Sequence, residues 1–383
     1  MTSSGSPILT VRALNRALLE RQLLLRRAAL PVVDAVEHLV GLQAQSPMDP
    51  YYGLAARLDG FDPEELSGLL ASRDVVRIPV MRSTIHLVSA RDCRGLRDLC
   101  RPVIERSFRG NHGKRLPGAD LPRVAELAAR LVAERPHTFH DLGRALAEEW
   151  PEYAPQDLAM AARALLPLVQ VPPRGLWGRS GPAAHTTAGH WLGDPGPGTA
   201  PEGATAPEGP GHATEPGAVL LRYLAAFGPA SVKDMQKWSG LTGLRAVADG
   251  LRPGLRTFRD ETGTELLDLP GAPLPDPGTD APVRFLPEFD NIFLSHADRA
   301  RIVASDHFRR IWRVNRAAPT VLLDGFLRAV WRLDRGPDTT TLVVEPFETI
   351  RRAERAPLEE EAARVLAMAA PGSKHDLRIT GTG

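Results

Sequence analysis

Apolar residues recur at helical spacing near the start of the chain. Thr10 precedes a segment in which Leu14, Leu18 and Leu25 lie four and seven residues apart, and this predicts a capped helix. Pro31 suits the first turn of a second helix, which also has apolar residues on one face. The chain therefore begins with two amphipathic helices.

The spacing changes from helical to alternating near residue 75. Before it, Asp62–Glu65 combines a cap, a proline and a returning carboxylate, which together predict a helix start. Residues 75–81 and 84–88 then predict two strands around a tight turn. Helices followed by a hairpin are the order of a winged-helix unit.

A similar order of elements occurs twice more. Thr138 and Pro155 begin two helices, and residues 169–171 and 176–178 predict strands around a Pro-Pro-Arg-Gly turn. Ser231 then begins a further helix pair, which leads to predicted strands at 255–258 and 265–269. The sequence therefore predicts three tandem winged helices, at 1–90, 91–192 and 218–281.

The rest of the chain differs in character. Residues 193–217 are dominated by Gly, Pro, Ala and Thr and predict a flexible linker, because they cannot bury enough apolar surface to offset chain entropy. Residues 282–383 predict a small β-barrel or strongly bent sheet with a helix near 346–368. Its strands are expected at 283–286, 302, 321–323, 326–333, 341–344 and 376–380. The predicted fold class is α+β.

Composition excludes several classes of protein. The chain has 383 residues, of which 43% are hydrophobic, and no apolar run approaches the roughly 18 residues that a membrane span needs. The N-terminal residues do not have the pattern of a secretory signal. Cys93 and Cys100 are too few for a disulfide framework. The expected compartment is therefore the cytoplasm.

Basic residues are placed unevenly, although the formal net charge is only +1. Ten basic and three acidic residues lie between Arg77 and Arg115, and nine and three lie between Arg299 and Arg335. Such stretches are most often solvated faces, but they also suit a surface that contacts a polyanion.

Most enzyme signatures are missing from the sequence. There is no Walker-type phosphate loop, no dinucleotide glycine fingerprint and no serine nucleophile elbow. The eleven histidines include no pair four residues apart, and no Cys/His metal spacing occurs. We therefore expect neither a metal nor a cofactor.

Two glutamines in the segment Gly41–Pro47 are the candidate chemistry. Gln43 and Gln45 follow the second helix, and their side chains can point the same way only if the backbone is extended. Neutral amides do not titrate near pH 7, but they bind water or a sugar oxygen. The alternative interpretation is a polar helix end with no function.

Several segments, in this order and spacing, resemble the winged-helix DNA glycosylases of the AlkZ and YcaQ type. The resemblance covers nearly the whole chain apart from the Gly/Pro-rich insert. It is carried by 41–47 (GLQAQSP), 82–88 (RSTIHLV), 286–290 (LPEFD), 296–302 (HADRARI) and 321–325 (VLLDG) with Trp331.

The resemblance implies a C-shaped array of three winged helices and a β-barrel, and a monomer. It implies that Gln43 and Gln45 form the family's Gln-x-Gln catalytic motif, with Ala44 as a small instance of the hydrophobic residue between them. Family members remove N7-alkylated purines from double-stranded DNA. The Gln-x-Gln branch resembles self-resistance enzymes that act on bulky adducts or interstrand crosslinks of genotoxic natural products, in the nucleoid of the bacterial cytoplasm.

The chemistry of such a substrate explains why glutamines suffice. Hydrolysis of an N-glycosidic bond passes through an oxocarbenium-like sugar. An N7-alkylated purine already carries a positive charge, so its departure needs no general acid. The protein has only to position water and to stabilise the sugar cation with oriented dipoles. We expect Gln45 to orient the water and Gln43 to fix Gln45.

The basic stretches and their histidines are expected to contact DNA. The candidates are Arg77, Arg82, Thr84, His86, His296, Arg299 and Arg301. No lysine lies near the motif to form a Schiff base, so a monofunctional glycosylase is predicted. Two alternatives stay open at this point: a non-enzymatic DNA-binding protein or regulator, and a protein that sequesters a genotoxin.

Overall fold

The structure is a computed structural model that describes residues 6–193, 215–313 and 316–381. Its helices, together with three short 3-10 turns at Met81–Ser83, Gly113–Arg115 and Arg252–Gly254, alternate with short strands. The α-helices are α1 (Val11–Arg21), α2 (Val32–His38), α3 (Asp49–Ala55), α4 (Pro63–Ser72), α5 (Ala90–Asn111), α6 (Leu121–Glu134), α7 (Phe139–Ala147), α8 (Pro155–Leu165), α9 (Ala188–Leu192), α10 (Pro216–Phe227), α11 (Val232–Ser239), α12 (Leu244–Leu251), α13 (Asn291–Leu294), α14 (Ser305–Ile311) and α15 (Arg352–Ala369).

The strands are short in the first half of the chain and longer near its end. They are β1 (Ile8–Leu9), β2 (Leu42–Gln43), β3 (Val75–Pro79), β4 (Ile85–Ser89), β5 (His137–Thr138), β6 (Leu168–Gln170), β7 (Ala184–Thr187), β8 (Arg256–Asp260), β9 (Glu265–Asp268), β10 (Arg284–Leu286), β11 (Trp312–Arg313), β12 (Arg316–Ala317), β13 (Thr320–Leu323), β14 (Phe326–Arg335), β15 (Thr339–Pro346) and β16 (Lys374–Ile379). The chain is thus a mixed α+β protein, as predicted.

Contacts within the chain define two compact units. Unit 1 comprises Met1–Glu65, Leu220–Trp238 and Gly243–Gly383. Unit 2 comprises Leu66–Val219 and Ser239–Thr242. Both units are discontinuous in sequence. The predicted winged helices at 1–90, 91–192 and 218–281 are continuous segments, and that division stays a prediction.

The largest sheet of unit 1 has the strand order β10-β13-β14-β15-β16. Neighbouring strands are antiparallel except for the parallel pair β15–β16. Its apolar face, which includes Phe285, Trp331 and Leu342, packs on Leu358 and Leu366 of α15. Within the described residues the two outer strands, β10 and β16, do not pair with each other. The expected closed barrel is therefore corrected to an open sheet that a helix covers on one face.

A second sheet of unit 1 confirms one predicted hairpin. β8 and β9 pair antiparallel, and Gly263 takes the positive φ of +85° that the turn between them needs. β1 adds to β8 in parallel. The predicted start of α11 is also confirmed, because Ser231 and Asp234 bond reciprocally: the Asp234 amide donates to Ser231 Oγ at 3.2 Å, and the Ser231 amide to Asp234 Oδ2 at 2.8 Å.

The sheet of unit 2 contains the strand order β4-β3-β6-β7-β5. The predicted hairpin at 75–88 is confirmed by the pairing of β3 with β4, and Thr138 caps α7 as expected. The strand predicted at 176–178 is wrong. The Leu176 amide closes a turn on the carbonyl of Pro173, and the partner of β6 is instead β7.

Two further expectations have different outcomes. Most of the predicted linker, residues 194–214, lies outside the described residues, and its last residues already belong to α10. Ile302 lies in a turn rather than in a strand. Across the described ranges, no helix is both long enough and apolar enough to cross a membrane.

Candidate active site

The glutamine segment begins where α2 ends. Val40 and Gly41 both take positive φ angles, +54° and +87°. The Val40 amide donates to the carbonyl of Glu37 at 3.1 Å, and the Gly41 amide to that of Val36 at 2.9 Å. This pair of bonds is the Schellman pattern that ends many helices, with a β-branched residue at the position that usually holds glycine. The chain leaves the helix sharply and then becomes extended.

Asn291 holds the extended backbone at the motif. Its Nδ2 donates to the carbonyl of Gly41 at 2.8 Å, and its Oδ1 accepts from the amide of Gln43 at 3.3 Å. The side-chain amide thus bonds on both sides of Leu42, as a neighbouring strand would. Because Asn291 is itself buried, these backbone groups are satisfied without water.

The two glutamines occupy different environments. Gln43 is 7% exposed, whereas Gln45 is exposed. A turn follows at once, in which the Asp49 amide donates to the carbonyl of Ser46 at 3.3 Å. The segment therefore presents one amide to solvent and encloses the other, which suits a residue that binds water beside a residue that fixes it.

A buried ion pair supports Asn291 from the preceding residue. Asp290 accepts two hydrogen bonds from the Arg57 guanidinium, both at 2.8 Å, and both side chains are almost fully buried. Arg57 also donates to the carbonyl of Gly53 and, at 3.3 Å, to Gln22 Oε1. Asp290 in turn caps α13 by accepting from the amide of Ile292. The short helix that carries Asn291 is thereby anchored to α3.

A second buried carboxyl lies just after the motif. Asp49 is 5% exposed, and burial, followed by the negative charge of Glu288, raises its pKa to about 8. Hydrogen bonds from the hydroxyl and the amide of Ser46 oppose this shift. Asp49 is therefore mostly protonated at neutral pH.

Three predicted DNA contacts lie together in unit 1, and the structure uses them internally. His296 is 1% exposed; its Nε2 lies 3.1 Å from the carbonyl of Phe227 and its Nδ1 lies 3.0 Å from Ser295 Oγ. Burial and the charge of Arg301 keep its pKa far below the usual range. Arg301 is buried and donates to the carbonyl of Pro229, and half-buried Arg299 donates to that of Phe293.

The other four lie on or beside the hairpin of unit 2. His86 is buried, with Nδ1 3.0 Å from the carbonyl of Thr84 and Nε2 3.3 Å from Arg82 Nη2. Burial and the Arg82 charge lower the pKa of His86 to about 3, so the ring is neutral. Arg77 is 2% exposed and packs on Gly175, while Arg82 and Thr84 are half-buried.

Burial divides these seven residues into two groups. Arg82, Thr84 and Arg299 keep part of their surface exposed, while Arg77, His86, His296 and Arg301 are buried. A phosphate contact needs an accessible side chain, so DNA contact by the buried four stays a prediction that the internal bonds do not support.

Sequence patterns gave no role to the residues that support the motif. Asn291 and Asp290 lie about 250 positions from the glutamines, and only a three-dimensional structure brings them together. The one local signal was the spacing Ser46-x-x-Asp49, which matches a capping box. Among the described residues there is no group of His, Cys, Asp or Glu that could hold a metal ion.

Comparisons with known proteins match the chain to one family of DNA glycosylases. The family model for AlkZ-like DNA glycosylases matches residues 36–368. An interstrand DNA cross-link repair glycosylase of Streptomyces sahachiroi is 29% identical over 181 residues, which is 42% of this chain and 44% of that protein, so the match spans less than half of the relative's length.

A solved structure is similar across its full length. The DNA glycosylase AlkZ of Streptomyces sahachiroi superposes with a TM-score of 0.74 and 21% identity, covering 97% of this chain and 100% of that one. At this identity the likeness concerns the fold. Because the family model covers most of the chain and includes the Gln43–Gln45 segment, the protein belongs to the AlkZ-like DNA glycosylase family.

Proposed function

We propose that this protein hydrolyses the N-glycosidic bond of cationic N7-alkylated purines in double-stranded DNA and leaves an abasic site. The observation that carries the proposal is the glutamine segment. Within the family match, an exposed Gln45 follows a buried Gln43 on a backbone that Asn291 holds extended. A segment held in this way is preorganised to position water.

The proposed mechanism divides the work between the two amides. Gln45 orients the attacking water with its side-chain oxygen. Gln43 lies two residues earlier and is buried, and it fixes the orientation of Gln45. The leaving base already carries a positive charge and departs without a proton from the protein. As the bond breaks, positive charge moves to the sugar, where oriented amide dipoles stabilise it without reorganising.

The proposed reaction ends with base release. A strand-cleaving lyase step needs an amine that forms a Schiff base with the sugar. The chain has four lysines, Lys114, Lys233, Lys237 and Lys374, and all lie far from residues 41–49 in sequence. We therefore propose a monofunctional glycosylase, in which base release is not followed by a lyase step.

Bulky adducts are the proposed substrates within this class. The name of the Streptomyces sahachiroi relative states that it repairs interstrand DNA cross-links. The second glutamine, Gln45, is also the residue of the self-resistance branch that the sequence resembles. Excision of natural-product guanine adducts, and unhooking of crosslinks, therefore follow as proposals for this chain.

The DNA surface is proposed from the accessible members of the predicted set. Three winged helices in a monomer would contact the DNA backbone through Arg82, Thr84 and Arg299. Each phosphate contact contributes about −0.9 to the slope of log K against log salt. Arg82→Ala and Arg299→Ala should each lower the slope magnitude by roughly one, and unchanged slopes would remove these residues from the surface.

The catalytic proposal is tested with duplex DNA that carries one N7-methylguanine. Wild-type protein should release the base, the Gln43→Ala/Gln45→Ala double variant should not, and Gln156→Ala, an exposed glutamine on α8, should behave as wild type. Full activity of the double variant would refute the mechanism. Binding of the duplex without release by wild type would instead identify a non-enzymatic DNA-binding protein.

A further inference from the structure

The last turn of α10, residues 223–227, is bonded by side chains from other elements of unit 1. Gln22, at the end of α1, donates from Nε2 to the carbonyl of Ala226 at 2.7 Å. The carbonyl of Phe227 lies 3.1 Å from His296 Nε2. A helix leaves its last carbonyls without intrahelical partners, so these two bonds satisfy buried groups. They also connect α10 to α1 and to the residues after α13.

The bond from Gln22 continues toward the glutamine segment. Gln22 is buried, and its Oε1 accepts from Arg57 Nη2 at 3.3 Å. The same guanidinium donates two hydrogen bonds to Asp290, which immediately precedes Asn291. An unbroken series of buried hydrogen bonds therefore runs from the carbonyl of Ala226 to the start of α13.

A second route begins at Tyr223, the first residue of the same turn. Its hydroxyl donates to the carbonyl of Ser295 at 2.7 Å, and its ring is buried against Phe227 with centroids 5.2 Å apart. Ser295 is the C-cap of α13, so this bond holds the end of that helix. The two routes therefore connect both ends of α13 to one turn of α10.

The segment that these routes hold cannot fix its own geometry. Phe289, just before Asp290, has a φ of +54°, and a left-handed residue with a Cβ is strained unless the surrounding contacts fix it. The helix that follows, α13, has only four residues. The orientation of Asn291 at its first position is therefore set by contacts with other elements rather than by a long regular helix.

We propose that the last turn of α10 positions the glutamine segment through Asn291, with Tyr223 and Gln22 as positioning residues for base release. The proposal rests on the proposed function. Asn291 accepts from the amide of Gln43, so a shift of α13 would weaken this bond and displace Gln45, two residues further on. Both positioning residues are buried, and they act through Asn291 rather than on the substrate.

The first test reads the glutamine segment directly and does not depend on catalysis. Native-state amide exchange of the full chain, followed by NMR, is compared between wild type and Tyr223→Phe, which keeps the stacked ring and removes only the hydroxyl. The Gln43 amide should exchange about fivefold faster, or more, in the variant, because its bond to Asn291 opens more often.

A matched variant separates local loosening from general loss of stability. Val344→Ala truncates a core residue of β15 and destabilises unit 1 at a distance from α10 in sequence. It should leave exchange of the Gln43 amide unchanged, because that amide opens locally. An unchanged Gln43 amide in Tyr223→Phe would overturn the proposal, and so would equal acceleration in Val344→Ala.

The second test measures single-turnover release of N7-methylguanine from duplex DNA. Tyr223→Phe and Gln22→Met should each lower the maximal rate about tenfold with little change in duplex affinity. In an Asn291→Ala background, Tyr223→Phe should add less than about a further twofold, because the connection is already cut. A full additional loss in that background, or a loss confined to duplex affinity, would overturn the positioning role.

Tyr153→Phe is the control for the rate measurement. Its hydroxyl also donates to a backbone carbonyl, that of Pro117 at 2.5 Å, but it lies in unit 2. The same substitution there should leave the rate of base release unchanged. A loss of rate equal to that of Tyr223→Phe would show that removing any such hydroxyl slows release, and would contradict a specific role for α10.

The two tests separate the possible failures. If wild type releases no base but the Gln43 amide responds as expected, the positioning stands and the proposed function fails. If wild type and both variants release the base at the same rate, the positioning fails alone. Should Tyr223→Phe not fold, as judged by circular dichroism, Gln22→Met undergoes both tests with the same expected results. Loss of the fold in both variants would show a purely structural role and would also overturn the proposal.

Discussion

Two sharp turns in this molecule each contain two consecutive residues with positive φ angles, and different contacts stabilise them. In unit 1, Val40 and Gly41 have positive φ angles before the glutamine segment, and in unit 2 Arg82 and Ser83 do so within the hairpin. The hairpin is held by the adjoining β3–β4 ladder and by the local bonds of His86. The glutamine segment is held by Asn291, about 250 residues away.

Local sequence can therefore specify one of these turns and not the other. A hairpin carries its own hydrogen-bond partners, so its strands and turn follow from nearby residues. The glutamine segment, in contrast, takes a donor and an acceptor from Asn291, which is remote in sequence. A loop that is held remotely is also more easily changed by single substitutions at a distance.

The largest effect is expected at the ion pair behind Asn291. Asp290→Ala leaves the fully buried Arg57 guanidinium without its carboxylate, and breaking such a pair typically costs about 3–5 kcal/mol of unfolding free energy. Denaturant unfolding of the variant measures this. Glu360→Ala, which breaks the exposed pair with Arg364, should change little. Equal effects of the two substitutions would contradict a remote support for the segment.

The next largest effect is a dependence of the free energy of unfolding on pH, which arises from His86 in the hairpin. His86 has a pKa of about 3 when folded and about 6.5 when unfolded, so the unfolded chain binds the proton first. This contribution is complete above pH 6.5 and is lost as pH falls toward 3, by roughly 2–3 kcal/mol at pH 4.5. His86→Gln should reduce the slope of that part of the stability curve, while buried His296 and His185, whose pKa values are also lowered, keep the rest of it. Identical slopes for variant and wild type would refute a buried neutral His86.

Asn291→Ala should have a smaller effect on stability and a large effect on rate. It removes two hydrogen bonds from the backbone of the glutamine segment, which costs about 1–3 kcal/mol. A displaced catalytic group of this kind typically lowers the rate about 100-fold. The expected loss is in kcat rather than KM. Asn111→Ala, on an exposed position of α5, is the control, and a normal kcat for Asn291→Ala would contradict the account.

The smallest effect is expected at Val40. Its left-handed conformation costs roughly 1–2 kcal/mol for a residue with a Cβ, and Val40→Gly removes that strain together with a buried side chain. Truncating the buried side chain to glycine costs about 3 kcal/mol and relief of strain offsets roughly half of this, so the free energy of unfolding should fall by about 1–2 kcal/mol. Val36→Ala, a buried position in the regular part of α2, should cost about 2 kcal/mol. A larger loss at Val40 than at Val36 would show that the strain is negligible.

Local patterns predicted the elements whose determinants are local. Thr10, Thr138 and Ser231 cap helices as expected, and the hairpins at residues 75 and 255 form with the expected strands. The strand at 176–178 was wrong because a turn with its own closing bond replaces it. The closed barrel was wrong because closure depends on how outer strands meet, which apolar alternation does not encode.

The sequence allowed the two glutamines of the candidate site to be predicted, but not the residues that hold their backbone in place. Gln43 and Gln45 stood out as paired amides, and the family resemblance gave them a meaning. Asn291 was one of many polar residues in the second half of the chain, and nothing near it in sequence points to Gly41. The high pKa of Asp49 was not predictable from sequence, because it arises from burial and from the charges of Glu288 and Asp290, which lie about 240 positions away. Charge alone pointed to Arg77 and Arg301, which the fold buries.

The central claim is that neutral amides suffice because the leaving base is already cationic. The most direct measurement compares release of N7-methylguanine with release of its ring-opened formamidopyrimidine from otherwise identical duplexes. The two bases carry the same methyl group, but ring opening removes the positive charge. For each base, the rate acceleration is the rate of release with wild-type protein divided by the uncatalysed rate. This acceleration should be at least 100-fold larger for the cationic base than for the ring-opened base. Equal acceleration of both bases would show that the protein supplies a proton to the leaving group, and would contradict the account.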